Sequence, residues 1–297
     1  MRLEDAYAAC ARLAHSHYEN FPVASRLLPA RMRPHVAAVY AYARLADDIA
    51  DEGDVDQALR HGRLDEWTRR LHASVAGAAE PEDASILDAS TREVAPAIVM
   101  ATAHTIRSIE LPIALFDDLV SAFRQDITVT RYDSWGALFD YCRRSANPVG
   151  RLVLRIGGWQ SRDLDAASDA VCTALQLTNF WQDLAIDWRR GRLYVPAEEH
   201  VRAGASFDAL DRGELTDEWR DALSRSAART RELFDRGRAV CDGVSGRLRY
   251  ELRATWLGGV RILDRLEASR FDVFHDRPSL GMRDVPALAW GAFRWRR

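Results

Sequence analysis

Apolar residues along this 297-residue chain recur at three- and four-residue intervals, the period of helices that bury one face. Valine, isoleucine and threonine are nowhere concentrated into the alternating runs that mark strands. The period predicts a helix over residues 3–17, then a passage punctuated by Pro22, Pro29 and Pro34 that no single helix can cross. Pro34 suits the first turn of the next helix, which should stop near Gly53. Helical patterns follow over 55–77, 84–107 and 112–128. Another starts at Ser134, passes Tyr141, kinks at Pro148 and reaches Gly157-Gly158. Residues 163–188 form one long periodic segment; 216–239 and 244–270 carry two more, before an arginine-rich tail. No composition break marks a boundary. The expected architecture is all-α, a single domain over 1–297 of roughly ten helices.

Polar residues interrupt the apolar pattern in two orderly places. Tyr40, Arg44, Asp47 and Asp51 fall at i, i+4, i+7 and i+11, so a helix stacks them in one stripe. Alone, this reads as a solvated face. Against that, like charges one turn apart repel, and no arginine or lysine follows within a turn to offset them. The carboxylates thus look free of internal partners. Gln176, Asn179, Asp183 and Asp187 repeat the arrangement at i, i+3, i+7 and i+11 on the 163–188 segment. Oxygen-only donors of this kind suit Mg²⁺, which is usually shared with substrate phosphates. Two such helices point to a diphosphate held by several Mg²⁺ ions at one end of an apolar cavity.

Composition narrows the partners. A formal net charge of −3 argues against a general nucleic-acid binder. All 41 basic residues are arginine, which excludes Schiff-base lysine chemistry and a P-loop while suiting a grip on diphosphate. Cys10, Cys142, Cys172 and Cys241 are widely spaced and read as reduced thiols of a cytoplasmic protein. No secretory leader and no membrane-spanning apolar run is apparent, and contact with the inner membrane face stays open. A di-iron bundle needs Glu-x-x-His on two helices, which the sequence lacks; His200 is expected in a loop.

The two stripes, with Gly191-Arg192-Leu193-Tyr194-Val195-Pro196 shortly after the second, resemble the squalene/phytoene synthase family of head-to-head prenyl synthases. The resemblance spans nearly the whole chain and implies an isoprenoid-synthase helical bundle with a central apolar cavity. It implies Mg²⁺ ligation by Asp47, Asp51, Asn179, Asp183 and Asp187. It places Arg44, Asp48, Gln176 and Tyr141 in the diphosphate region, and Arg277 where the family tends to carry a phosphate-binding arginine. Glu19-Asn20-Phe21-Pro22-Val23-Ala24-Ser25, Ser145-Ala146-Asn147-Pro148-Val149-Gly150 and Asn179-Phe180-Trp181-Gln182-Asp183 are similar to the bacterial hopanoid branch, whose hydroxysqualene synthases act on presqualene diphosphate. Asn147-Pro148, Gln182 and Val260 depart from many relatives and fit a specialist for that second half-reaction.

The implied chemistry ionises a diphosphate and quenches the rearranged cation with water. Phe21, Phe180 and Trp181 are candidates for the aromatic wall around the cation; ordinary core packing is the alternative use of each. Asn147 is a candidate for placing the water, or merely caps the break before Pro148. NADPH is not expected. Condensation of two prenyl diphosphates, such as farnesyl diphosphate, to presqualene diphosphate, squalene or phytoene is the first alternative. A non-catalytic member of the fold is the second. Channelling with other enzymes of the squalene pathway stays open.

Overall fold

The computed structural model describes residues 1–16, 27–78 and 86–295. Among the described residues the regular elements are helices, and strand-like pairing is limited to an isolated parallel bridge between Arg131 and Leu193. The helices are α1 (Leu3–Ser16), α2 (Arg33–Asp51), α3 (Gln57–Val75), α4 (Ala89–Ile109), α5 (Ala114–Asp126), α6 (Trp135–Ser145), α7 (Asn147–Ile156) and α8 (Arg162–Gln182). They continue with α9 (Leu184–Arg189), α10 (Ala197–Ala203), α11 (Phe207–Asp211), α12 (Asp217–Gly237), α13 (Val240–Gly243), α14 (Gly246–Ala268) and α15 (Val285–Arg294). Contacts group them into two compact units, Met1–Thr128 with Arg151–Gln160, and Val129–Gly150 with Ser161–Arg297.

In the first unit α2 is the central helix, packed by α1, α3, α4 and α5. Ala37, Ala38, Ala41, Ala46 and Ala50, with Val36, Val39, Tyr42, Leu45 and Ile49, are buried. Tyr42 stacks on Trp67 at 5.0 Å and meets Phe116 edge-on at 5.5 Å. Trp67 Nε1 donates to the Tyr42 carbonyl at 3.3 Å, so this buried indole N–H is satisfied. Asp56 and Asp88 cap α3 and α4 by accepting from the backbone N–H of Leu59 and Thr91.

In the second unit α8 takes the central role, packed by α6, α12, α13 and α14. Trp181 is fully buried and donates to Thr230 Oγ1 at 2.9 Å. Glu199 on α10 ties three elements together, accepting from Trp135 Nε1 at 2.8 Å and Arg225 Nε at 2.7 Å.

Three expectations need correction. The 163–188 segment is two helices, because the backbone leaves helical geometry at Asp183 (φ −99°, ψ 7°) before α9 begins. The helix from Ser134 is also two: α6 ends at Ser145, Ala146 adopts φ −112°, and Pro148 sits in the first turn of α7. His200 lies on α10 and is buried, with ring centroids 5.2 Å from Phe207 and 5.4 Å from Trp219.

Candidate active site

A helix packed on most sides can keep carboxylates only along the strip left accessible, since burying an unpaired charge is very costly. On α2 that strip is Tyr40, Ala43, Arg44, Asp47 and Asp48, with Asp51 exposed at the end, while the intervening positions are buried. The three aspartates occupy the C-terminal part of the helix, whose last turn contains no basic residue. The macrodipole there is negative, so carboxylates are disfavoured and a bound cation is favoured. The carboxylates are not without internal partners, contrary to the sequence expectation. Arg44 reaches back-to-front along the stripe, with Nη2 2.6 Å from Asp48 and Nη1 3.4 Å from Asp47. An arginine preceding the acids by one turn does what a following one would. Burial first, then the Asp48 and Asp47 carboxylates, hold the Tyr40 hydroxyl above its ordinary range against the opposing pull of Arg44. Arg60 of α3 donates to the Ala50 carbonyl and, at 2.7 Å, to that of Gly53, closing the helix end.

The second stripe obeys the same logic. Thr173, Ala174, Leu177, Thr178, Phe180, Trp181 and Gln182 are buried, whereas Gln176, Asn179, Asp183 and Asp187 reach the surface. Asn179 and Asp183 close the C-terminal turn of α8, again with no basic residue in it. At the break the Asp183 N–H still bonds the Asn179 carbonyl at 2.8 Å, and the Asp183 carbonyl accepts from Ile186 and Asp187, both at 2.8 Å. The register of Asp187 is thereby retained despite the break. The counter-charge arrives from far along the chain: Arg277 Nε lies 2.5 Å from Asp183 Oδ1. The neighbouring Gln182 Nε2 donates to the Pro278 carbonyl at 2.5 Å. Two consecutive residues at the helix break therefore clip two consecutive residues of the C-terminal segment.

Beside this stripe lies an aromatic cluster of which the sequence pattern reveals only a part. Phe180 and Tyr194 are stacked at 3.7 Å and 3°. Tyr141 lies 6.1 Å from each of them, and Tyr132 is 5.7 Å from Tyr194 and 5.6 Å from Tyr141. Tyr194 reaches the cluster because the chain turns after α9. The Asp187 carbonyl accepts from Arg192 N, Gly191 adopts φ 78°, and Leu193 N then bonds the Thr130 carbonyl at 2.9 Å. Positive φ at that position favours glycine, and Gly191 is the one signal in the sequence that this loop is specifically shaped. Trp181, by contrast, is a core residue.

Asn147 is buried at the start of α7, where its Oδ1 accepts from Thr173 Oγ1 of α8 at 2.9 Å. Gly150 permits that approach, because a Cβ there would stand 2.3 Å from Ser168 Oγ and 2.5 Å from Cys172 Sγ. Phe21 lies outside the described residues.

Among the described residues no three His, Cys, Asp or Glu side chains converge as a ready-made metal cage. Each stripe offers a few oxygen donors at a negative helix end, which fits Mg²⁺ completing its shell with water and phosphate oxygens rather than a transition metal.

Comparison with known proteins identifies relatives of the chain. The hydroxysqualene synthase of Zymomonas mobilis is 36% identical over 219 residues, 73% of this chain and 68% of that protein. The hydroxysqualene synthase of Sinorhizobium fredii is 36% identical over 238 residues, 79% of this chain and 74% of that protein. The crystal structure of squalene synthase HpnC from Alicyclobacillus acidocaldarius superposes with a TM-score of 0.80 at 37% identity, covering 91% of this chain and 95% of that one. The fold is thus all-α, as the periodicity predicts, and is the isoprenoid-synthase helical bundle that the family resemblance implies. A family model described as squalene/phytoene synthase matches residues 14–284, and the chain belongs to that family.

Proposed function

We propose that the chain, acting as one functional unit over 1–297, converts presqualene diphosphate and water to hydroxysqualene and diphosphate in the squalene and hopanoid route. The observation that carries this reading is the pair of acidic helix C-termini, Asp47–Asp51 on α2 and Asn179–Asp183 on α8, each lacking a basic residue in its last turn. The likeness to two hydroxysqualene synthases supports the choice of half-reaction.

In this proposal Asp47, Asp51, Asn179, Asp183 and Asp187 would hold Mg²⁺. Mg²⁺ held there would supply positive charge to offset that of the leaving diphosphate. Arg44, Asp48, Gln176 and Arg277 orient the diphosphate; Arg277 exchanges Asp183 for it when substrate arrives. Tyr141, with Tyr132, Phe180 and Tyr194, offers π-faces to the rearranging cation and keeps bulk water away. Phe21 contributes to the same wall. Asn147, its amide oriented by Thr173, places the water that bonds to carbon and then loses its proton. The balance needs no NADPH. A cytoplasmic enzyme handling so apolar a substrate makes peripheral membrane contact and receives it from a neighbouring enzyme of the pathway.

The test supplies Mg²⁺ with presqualene diphosphate or with farnesyl diphosphate, without NADPH, and identifies products by mass spectrometry. Hydroxysqualene from presqualene diphosphate is the expected result. Phytoene or presqualene diphosphate as the end product would contradict it. Asn147→Ala with unchanged rate and alcohol product would remove Asn147 from the scheme.

A further inference from the structure

Nothing in the proposed reaction uses helix α15. One face of it is anchored to α14: a Cβ on Gly291 would meet Leu257 Cδ1 at 2.9 Å, and Ala292 is buried. Trp295 follows, edge-on to Trp256 at 5.4 Å with the Arg238 guanidinium 4.5 Å from its centroid. The opposite face is Pro286, Ala289, Trp290 and Phe293, spaced i, i+3, i+4 and i+7 and all exposed. Trp290 is 59% and Phe293 68% exposed, and Val285 (51%) and Met282 (85%) extend the apolar surface towards the N-terminal end.

Surface helices ordinarily turn charged residues outward. Here the helix is apolar on both faces, and its outward row carries two stacked rings 6.2 Å apart. The exposed charge along this segment is basic, because its one acid, Asp284, is buried against Arg261 and Arg265. Arg283 and Arg294 are exposed, the Arg294 guanidinium sits 5.0 Å over the Trp290 ring, and Arg296 and Arg297 follow in sequence outside the described residues. From Val285 to Arg297 there is no acidic residue. Aromatic rings flanked only by arginines match the interface of an anionic bilayer, where rings enter the headgroup–acyl boundary and guanidinium groups meet lipid phosphates. A second copy fits less well, since a two-fold interface would bring the same arginines together. No helix among the described residues is long and apolar enough to cross a membrane, so contact through α15 is in the plane of the surface.

We propose that α15 docks this protein on anionic lipid, with Trp290 and Phe293 inserted and Arg283 and Arg294 on the headgroups. The inference deepens the membrane contact included in the proposed function, but rests on surface chemistry rather than on the reaction. The purified full chain is sedimented with phosphatidylcholine vesicles, with or without about 30 mol% phosphatidylglycerol. Co-sedimentation is expected with the anionic vesicles and should weaken as salt is raised. Trp290→Glu/Phe293→Glu should lower the partition coefficient roughly tenfold or more, and Arg283→Gln/Arg294→Gln several-fold. Thermal unfolding, and turnover of detergent-dispersed presqualene diphosphate, should be unchanged in both, which separates lost docking from lost folding. The arginine pair leaves the apolar packing intact and keeps the test valid if the glutamates unfold α15. Wild-type protein that ignores anionic vesicles, or variants that bind as wild type, would overturn the proposal. So would a concentration-dependent dimer abolished by Trp290→Glu/Phe293→Glu without vesicle binding, which would make a second copy the occupant. Vesicle binding without hydroxysqualene formation would instead refute the reaction and leave the docking intact.

Discussion

Helices α2 and α8 both end in acidic turns, but they neutralise them by opposite routes. On α2 the helix is unbroken and the counter-charge is local, with Arg44 one turn behind Asp47 and Asp48 and 3.6 Å from Glu52. That pairing forms wherever the helix forms. On α8 the helix breaks at Asp183, and the counter-charge comes from Arg277, 94 residues away in sequence. It exists only once the C-terminal segment is in place. This segment is fixed at its other end as well: the buried Asp284 accepts from Arg265 at 2.5 Å and faces Arg261 at 2.8 Å. The first acidic turn is thus set by secondary structure, and the second by tertiary structure. Arg44 is part of the helix whose acids it pairs with, whereas Arg277 lies on a partly exposed segment, and in the proposed reaction it is the one that would move to the substrate.

The largest expected effects come from removing either acidic turn. Asp47→Asn and Asp183→Asn should each lower Mg²⁺-dependent turnover about 10²–10³-fold, the scale of losing one preorganised charge stabiliser. Circular dichroism should show both variants folded. A variant retaining more than a tenth of wild-type turnover would remove its stripe from the chemistry.

Gly150→Ala probes the frame of the second stripe. Forcing a methyl against Ser168 and Cys172 should cost about 1–3 kcal/mol in urea unfolding, by overpacking the α7–α8 contact that orients Asn147. Unchanged stability would mean that this approach is looser than its geometry indicates.

The two arginines should behave differently. Arg277→Gln should lower kcat/KM roughly tenfold, the scale of a lost charged hydrogen bond to phosphate, with little change in Tm. Arg44→Gln should lower kcat/KM and also lower Tm, because it leaves like charges uncompensated at the end of a buried helix. Equal Tm values for the two variants would contradict the distinction between local and distant compensation.

The smallest effect concerns acid. Burial, then the charge of His104, holds half-buried His35 below its ordinary pKa; its Nδ1 shares hydrogen bonds with Tyr7 and Thr105 at 3.2 and 3.0 Å. A lowered histidine pKa means the unfolded chain takes up the proton first, so stability should fall as pH drops below about 6.5. Burial raises the Glu199 pKa, but its hydrogen bonds from Arg225 and Trp135 outweigh that and lower it overall. Its contribution should persist until pH falls below about 4.5. Urea midpoints measured against pH should therefore decline first in the histidine window, and His35→Gln should flatten that part of the curve.

Much of the fold and of the site is legible in the amino-acid sequence, for a physical reason. Long helices with one buried face write their period into the chain, so α2, α3, α4, α5, α12 and α14 stand out with boundaries shifted by a few residues. The acidic stripes stand out because helical spacing alone aligns their members. What escapes depends on contacts distant in sequence. The break at Asp183 leaves no local mark, since Phe180-Trp181-Gln182-Asp183-Leu184 reads as continuous helix until Gln182 and Asp183 find their partners Pro278 and Arg277. Helices α10, α11 and α13, at seven, five and four residues, are too short to display a period. Helix α15 is hidden by the arginines around it, and Tyr132 and Tyr194 by lying in loops that a single bridge brings together. The role of Arg44 is missed when only the residues downstream of the acids are weighed, because i−3 and i−4 neighbours are equally close.

The central proposal is that each acidic turn binds diphosphate through Mg²⁺. Calorimetric titration of inorganic diphosphate with Mg²⁺ into wild type, Asp47→Asn, Asp183→Asn and the double variant tests it directly. Each single variant should bind at least tenfold more weakly, and the double variant more weakly than either. A single variant that binds as wild type does would remove its turn from diphosphate binding and would contradict the account.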